Sequence, residues 1–420
     1  MITLGIETSC DESALALIET REVAGKSADA ATVGTNIECR VISSLVHSQA
    51  ELHSAYGGVY PSLAKREHGK NLVPLLKKLF ADMPDPTKKV DEAKFQQILA
   101  LFKPTLESQN PDLWQSLSGA DFLRKIHTID RIAVTEGPGL EPTLWVGIIF
   151  ARILGALWNI PIVPVNHMEG HIIGSLLESD KPSGTWQQLK PLEFPAIALL
   201  ISGGHTELVQ IETGRKEKTE LPAPFKYTIL GQTVDDAVGE AFDKVARLLG
   251  LPYPGGPHIS RLSEEAEELM TPSPVKLPRP MMKSDNLNFS FSGLKTAVLY
   301  ATRAATRPDG SLTDEFKRGL AHEFELAVAE TLEYKLRRAI DQIGAKTVII
   351  GGGVSANRRL RERFTKLAME YGIPIYLPSR HISGDNALMI ALAGAMDSAT
   401  YADTTGNSLK ADGTKRLGAQ

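Results

Sequence analysis

Apolar and polar positions alternate from the first residues of the chain. Ile2, Leu4 and Ile6 set a two-residue period that predicts a strand, Thr8-Ser9-Cys10-Asp11-Glu12-Ser13 a polar turn, and Ala14-Leu15-Ala16-Leu17-Ile18 a returning strand. About 195 residues later the same grammar recurs as Ala196-Ile197-Ala198-Leu199-Leu200-Ile201, Ser202-Gly203-Gly204-His205 and Thr206-Glu207-Leu208-Val209-Gln210-Ile211. A hairpin repeated at that separation predicts two related lobes. Both turns are built of small hydroxyl or glycine residues, whose backbone N–H groups are free to face an anion.

Strand-then-helix units follow each hairpin. Ile132-Ala133-Val134-Thr135 leads through Gly137-Pro138-Gly139 into an apolar helix expected from Pro142 to Trp158, and Thr347-Val348-Ile349-Ile350 runs through Gly351-Gly352-Gly353 into a helix beginning near Asn357. Strands alternating with helices predict an α/β architecture with partly parallel sheets. The most apolar stretch, 144–165, is interrupted by Arg152 and Asn159. A central Arg costs roughly 2.5–3.5 kcal/mol in a bilayer, so a buried helix followed by a strand is expected instead of a membrane span.

Two segments fall outside this pattern. Residues 82–128 are charged and punctuated by proline, with an amphipathic helix at Phe95, Ile98, Leu99 and Phe102, and read as an insertion carrying a surface helix and no chemistry. From Thr400 onward apolar periodicity is lost, and a mobile tail is expected.

The chain has 420 residues, which at about 150 per domain gives two or three lobes. With 42% hydrophobic and 23% charged residues it has an ordinary globular composition, and its two cysteines, Cys10 and Cys39, cannot form a disulfide framework. Forty-six basic against 50 acidic side chains leave a net charge of -4, so bulk charge does not announce a nucleic-acid binder. The opening strand pattern has no charged and apolar leader before it, and a cytoplasmic location is expected.

His167-Met168-Glu169-Gly170-His171 places two imidazoles at i and i+4 on one helix face, a spacing that suits a transition metal and also occurs incidentally. Glu169 lies two positions after the first His, about 200° round the helix, and so is misplaced for the base of a zinc peptidase. Asp385, in the turn Ser383-Gly384-Asp385-Asn386, is a third ligand that would leave the site open to substrate oxygens. The runs Ser202-Gly203-Gly204 and Gly351-Gly352-Gly353 match neither the dinucleotide fingerprint nor a phosphate loop, yet the second puts a helix N-terminus after a strand.

Thr233 with Asp236 reads as a helix cap, followed by an acidic face of Asp236, Glu240 and Asp243. That face is either solvated or, through Asp243 and the loop Tyr253-Pro254-Gly255-Gly256-Pro257, a partner for ribose hydroxyls. Asp11 and Glu12 sit in the first turn, where paired acids ordinarily cap backbone. Arg358, Arg359, Arg361, Arg363 and Lys366 read as a solvated basic helix start. His53, Lys65, Arg66 and His68, around Tyr56-Gly57-Gly58-Val59-Tyr60-Pro61, make a better-shaped nucleic-acid patch, because glycines and an aromatic accompany the charge.

Taken in order, these stretches resemble one family, the universal tRNA threonylcarbamoyladenosine transferases in their bacterial TsaD form, once described as O-sialoglycoprotein endopeptidases. The likeness spans residues 1–399 and includes Gly5-Ile6-Glu7-Thr8-Ser9-Cys10-Asp11-Glu12-Ser13, His167-Met168-Glu169-Gly170-His171, Ser202-Gly203-Gly204-His205-Thr206, Phe289-Ser290-Phe291-Ser292-Gly293-Leu294-Lys295-Thr296, Gly351-Gly352-Gly353-Val354-Ser355-Ala356-Asn357 and Asp385-Asn386-Ala387. The resemblance implies the two-lobed actin, sugar-kinase and Hsp70-like fold with duplicated ribonuclease-H-like lobes. The first lobe is expected at 1–165 plus 386–400, and the second, with the metal and nucleotide site, at 166–385.

It further implies a metal, iron(II) ahead of zinc, on His167, His171 and Asp385, and a nucleotide-bearing substrate on Leu200, Ile201, Ser202, Gly203, Gly204, Asp243, Gly256 and Asn357. The implied reaction moves threonylcarbamoyl from threonylcarbamoyl-adenylate to the exocyclic amine of the adenosine 3′ of the anticodon, in tRNAs reading codons that begin with A. Implied partners are a TsaB-like paralogue, a TsaE-like ATPase and a TsaC-type enzyme that makes the adenylate, with a homodimer as the alternative. Two departures stand out: Leu200 occupies the place of a metal-ligating Tyr in archaeal and eukaryotic relatives, and 82–128 is long for the family.

The donor is a mixed anhydride with AMP as leaving group, so charge stabilisation matters more than a strong nucleophile. The attacking aryl amine must lose a proton, and Asp11, in the turn facing the expected cleft, is the candidate acceptor. Two other readings remain at this level: an ATP-dependent phosphotransferase or ATPase of the same fold, which gives the His pair no role, and a metallopeptidase, which Glu169 disfavours.

Overall fold

Strands with apolar residues on both faces must be covered on both faces, and that requirement shapes the molecule. The computed structural model describes residues 1–23, 32–33, 37–81, 83–178, 181–213, 225–396 and 406–418. Along Ala196–Ile201, the side chains of Ile197, Leu199 and Ile201 enter one core and those of Ala196, Ala198 and Leu200 another. In Glu12–Glu22, Leu15 and Leu17 part in the same way from Ala14, Ala16 and Ile18.

Two larger sheets result. Across the first the order is Ile162–Asn166, Arg131–Gly137, Ile2–Glu7, Glu12–Glu22, Ile37–Ser48 and Trp186–Gln188; across the second it is Ile375–Tyr376, Thr347–Gly351, Ala196–Ile201, Thr206–Glu212 and Lys226–Gln232. Each hairpin is antiparallel, and its first strand pairs in parallel with the next strand of its own lobe: Gly5 opposite Ala133, and Ala198 opposite Ile349. Apart from the extra edge strand Trp186–Gln188, one order and one set of directions serve both sheets, so the repeated hairpin marks a repeated lobe.

Helices form the remaining layers. Pro61–Leu79, Glu92–Gln109, Pro111–Ser118 and Glu141–Trp158 cover the outside of the first sheet, and Val238–Leu248, Gly255–Glu268, Asp314–Ile343 and Arg358–Tyr371 the outside of the second. Between the sheets lie only His167–Gly174 and Ala387–Met396 among the described helices, in a third core. The apolar helix Glu141–Trp158 is long enough to cross a membrane, yet nearly all its apolar side chains are buried against the first sheet and its helices.

Three expectations are corrected here. The inserted segment is part of the first core: Phe95, Leu99, Phe102 and Leu106 of Glu92–Gln109 are buried there, because the helix lays its apolar stripe inward. The tail, in its described part 406–418, is packed and not free. Leu409 and Leu417 are buried, the Asp412 N–H donates to Glu136 O at 2.9 Å, and Lys415 pairs with Glu136. Two well-spaced leucines anchor a segment too short to show periodicity. The lobe boundary at 165/166 also fails to separate the layers, because Trp186–Gln188 extends the first sheet beside Ile37–Ser48 and His167–Gly174 serves both lobes.

Candidate active site between the lobes

The two middle helices set the site. Asn166 caps the first of them, its side chain accepting from the N–H groups of Met168 (2.9 Å) and Glu169 (3.3 Å), so that the helix begins at His167 and brings both imidazoles to one side. Asn386 caps the second by accepting from Met389 N at 3.1 Å, while its amide donates to Ile382 O and Gly384 O and closes the turn that carries Asp385. The helices cross closely because Gly170 and Gly174 lie where a Cβ would sit 2.9 Å from Ile390 and Met389. Gly5 is tighter still, with its missing Cβ 2.2 Å from the carbonyl of Ala387.

Asp385 Oδ1 therefore lies 3.1 Å from His171 Nε2 and 3.3 Å from His167 Nε2, with the two rings edge to face at 4.8 Å. The three ligand atoms lie within 4.8 Å of one another. Bonds of about 2.1 Å to a common cation would separate ligands by about 3.0–3.4 Å in octahedral or tetrahedral geometry, which fits the two measured spacings and does not choose between iron and zinc. Both imidazoles are buried, and Asp385 keeps 21% of its side chain exposed, the open side of the cluster.

Glu7, which lies in the family-like stretch Gly5 to Ser13 but has no role assigned from the sequence, supports the cluster. His167 Nδ1 donates to Glu7 Oε2 at 3.0 Å, and Thr135 Oγ1 donates to the same oxygen at 2.6 Å. Glu7 thus fixes the tautomer that turns Nε2 toward Asp385. Burial pushes the His167 pKa down, but the Asp385 and Glu7 carboxylates outweigh it and hold His167 well above its ordinary value. Burial likewise raises Asp385, and the two imidazoles outweigh it, holding the carboxyl well below the usual range. His205, in the second turn, is pulled down to about 4 by burial and by the charge of His167 and His171, and stays neutral beside the cluster.

Asp11 is buried at the tip of the first turn, where its carbonyl accepts from Gln49 N at 2.9 Å. Burial raises its pKa, opposed by a hydrogen bond with Cys10, and Asp385 raises it further. Asp243 and Tyr253 in turn feel its charge from the second lobe. His68 braces that turn: its Nε2–H donates to Cys10 O at 3.0 Å and its Nδ1 accepts from Ser13 Oγ at 2.8 Å.

The expected nucleotide residues fall into three kinds. Ser202, Gly203 and Gly204 form the open second turn, with no atom within 4 Å of where a Cβ would stand at either glycine. Thr206 Oγ1 behind them accepts from Val238 N at 2.8 Å, capping the helix that carries Asp243, whose Oδ1 accepts from Gly255 N at 2.6 Å. Gly256 is equally open. Leu200 and Ile201 are wholly buried in the middle strand of the second sheet, where Glu207 and Gly351 flank Leu200 on its two sides, so neither offers a side chain to a ligand. The Leu200 side chain lies in the middle layer beside His171 and offers no ligand atom. Asn357 spends its amide donors on Ser260 Oγ (2.7 Å) and Glu325 Oε1 (2.6 Å) and accepts from Leu360 N, while its backbone N–H donates to Val354 O and its C=O accepts from Arg361 N, so that one Oδ1 lone pair is left for a ligand.

Other expectations shift. Thr233 does not cap the helix, which begins at Val238. It donates to Asp236 O, while Asp235 accepts from Ser290, Phe291 and Ser292 and pins the Phe289-Ser290-Phe291-Ser292 segment. The basic start of Arg358–Tyr371 is neutralised internally, with Arg358 on Glu264, Glu267 and Glu362, Arg359 on Glu325 and Glu267, and Arg363 on Glu333. His53 and His68 are buried and drop out of the expected surface patch.

Two lobes of one sheet order with an open His2Asp cluster between them have the form of a two-lobed enzyme with a candidate metal centre. The chain belongs to the TsaD family, tRNA N6-adenosine threonylcarbamoyltransferase, whose model matches residues 40–92 and 120–392. The internal unmatched stretch lies within the inserted helices. The chain is 39% identical over 399 residues to the tRNA N6-adenosine threonylcarbamoyltransferase of Aromatoleum aromaticum, covering 95% of this chain and 92% of that protein. It is 37% identical to that of Chromobacterium violaceum, covering 94% and 93%. Among solved structures, component A of the (R)-2-hydroxyglutaryl-CoA dehydratase of Acidaminococcus fermentans aligns at a TM-score of 0.41 and 11% identity over 94% of this chain and 96% of that one. The family's fold is the two-lobed actin, sugar-kinase and Hsp70-like one, and the duplicated sheet order agrees with it.

Proposed function

We propose that this chain transfers the threonylcarbamoyl group from threonylcarbamoyl-adenylate to the exocyclic amine of the adenosine 3′ of the anticodon, in tRNAs reading codons that begin with A. The observation that carries the reading is the convergence of His167 and His171, from the helix His167–Gly174, with Asp385, from the turn before the helix Ala387–Met396. A cation held by these three side chains supplies Lewis-acid stabilisation of negative charge on the donor when bound. The family resemblance puts iron(II) ahead of zinc, and the donor set accepts both.

The chain's own residues do the rest. The second turn, at Gly203 and Gly204, and Gly256 offer open backbone to the adenylate, and Asp243, which holds the neighbouring loop through Gly255 N, keeps its second carboxylate oxygen for the ribose. The amine nitrogen attacks the carbamoyl carbon, the bond from that carbon to the phosphate oxygen breaks, and AMP leaves. Asp11 takes the amine proton: burial lifts its pKa above the ordinary aspartate range, which makes it a better proton acceptor than a free carboxylate.

The peptidase alternative loses its base, because Glu169 accepts from the Tyr227 hydroxyl at 2.8 Å and is held away from the cluster. A phosphotransferase would leave the His2Asp cluster without work. With a net charge of -4, the chain is expected to bind tRNA weakly alone and to draw basic surface from a TsaB-like paralogue and a TsaE-like ATPase, a TsaC-type enzyme supplying the adenylate in the cytoplasm. The deciding experiment incubates metal-loaded protein, with and without those partners, with threonylcarbamoyl-adenylate and unmodified tRNA, and weighs the digested nucleosides. Modified adenosine supports the reading, and its absence with all partners present removes it. An Asp11→Asn variant as fast as wild type would remove the assigned base.

A further inference from the structure

The loop at 55–60 joins helices Ala50–Ser54 and Pro61–Leu79 and carries the aromatic part of the patch whose histidines are buried. Tyr56 and Tyr60 remain 64% and 55% exposed and stack on each other, with ring centroids 5.9 Å apart and planes at 22°. The loop is held from inside. Tyr56 N donates to His53 O and Gly57 N to Ser54 O, while Tyr60 N donates to His53 Nδ1 and the opposite ring nitrogen of His53 donates to Gln49 Oε1 at 3.3 Å. Gly57, at φ +68°, makes the reversal that lets the two rings meet.

The same loop touches the second lobe. Arg247 donates to Gly57 O, and Ser54 and Gly57 line a cavity of about 100 Å³ with Asp243, Arg247 and Tyr253. The loop that carries the aromatic pair therefore borders the interlobe opening through Gly57, on the same cavity as Asp243. An RNA that delivers an adenosine into that opening must be unpaired there, and its neighbouring base needs a surface once it leaves the stack. Aromatic faces provide one without net positive charge, which this chain lacks. A base cannot enter between the rings, since two stacking spacings of about 3.4 Å exceed their separation, so an outer face is the available one.

We propose that Tyr56 and Tyr60 form a preordered stacking platform for an unpaired anticodon-loop base adjoining the acceptor adenosine. The inference rests on the tRNA-modifying reading above. In the chain with its full partner set, Tyr56→Ala and Tyr60→Ala are expected to raise the KM for tRNA between about fivefold and 150-fold. The KM for the adenylate should stay unchanged, and Tyr→Phe at either position should stay near wild type. With 2-aminopurine placed beside the acceptor adenosine, wild type and the Phe variants quench its fluorescence on binding and the double Ala variant does not. Unchanged tRNA KM and quenching in the double Ala variant overturn the platform. So does a loss confined to assembly with the partner subunits, which would assign the pair to a protein contact. Wild type that leaves adenosine unmodified overturns the functional reading itself, and the platform with it.

Discussion

Glu7 shows how much a single side chain contributes without advertising itself. In the sequence it is the last residue of an alternating strand; in the molecule its carboxylate orients His167 from below, with Thr135 holding it in turn. Replacing Glu7 by Gln keeps the shape and removes the charge that favours this tautomer. The expected outcome is a metal affinity 10- to 100-fold weaker, on the order found when outer-sphere partners of metal-bound His are changed, read by competition with a chelator. His68 carries a second residue-scale prediction. Burial pulls its pKa down to about 4, against about 6.5 in an unfolded chain. As pH falls from about 6.5 to 4 the unfolded chain binds the proton first, so stability is lost over that window and is fully present above it, by up to about 3 kcal/mol. Urea unfolding at pH 7.5 and 4.5 should show this loss in wild type and a smaller one in His68→Gln, whose amide still reaches Cys10 and Ser13.

At the scale of elements, the sequence pattern located the starts of two helices within a residue: the helix expected from Pro142 runs Glu141–Trp158, and the one expected near Asn357 runs Arg358–Tyr371, whereas the strand expected at Ala14–Ile18 extends over Glu12–Glu22. Periodicity reads well wherever one face is buried, because the burial itself writes the pattern. It misread the start of Val238–Leu248, whose first N–H is capped by Thr206 from another strand, a tertiary contact that local spacing cannot carry. The crossing of the two middle helices is likewise a contact between distant elements. Gly5→Ala would place a methyl against the backbone carbonyl of Ala387, which cannot swing away, and should displace the helix that follows Asp385. We expect about 1–3 kcal/mol of lost stability together with loss of metal, whereas Gly170→Ala, which meets the flexible end of Ile390, should be milder. Melting temperature and bound metal, measured together, separate the two.

For the whole molecule, the C-terminal strap matters beyond its length. Residues 414–417 enclose a cavity of about 190 Å³ with Pro138, Met168, His205 and Glu207, so the tail forms one wall of the space beside the cluster. Leu409 is buried in the first core, and Leu409→Ala should cost about 2–5 kcal/mol, measured by urea unfolding. A tail without structural work would show almost no change.

The repeated hairpins, the alternating units, the His pair and the glycine turns were all present in the order of residues, because each rests on local spacing or backbone freedom. Only the folded chain could decide that Asp385 reaches both imidazoles, that Glu7 stands behind His167, that His53 and His68 turn inward while Tyr56 and Tyr60 remain outside, and that the tail closes against Glu136. Those outcomes depend on which distant surfaces meet, and burial and charge partners across such contacts are properties of the packed whole, with no counterpart in neighbouring letters.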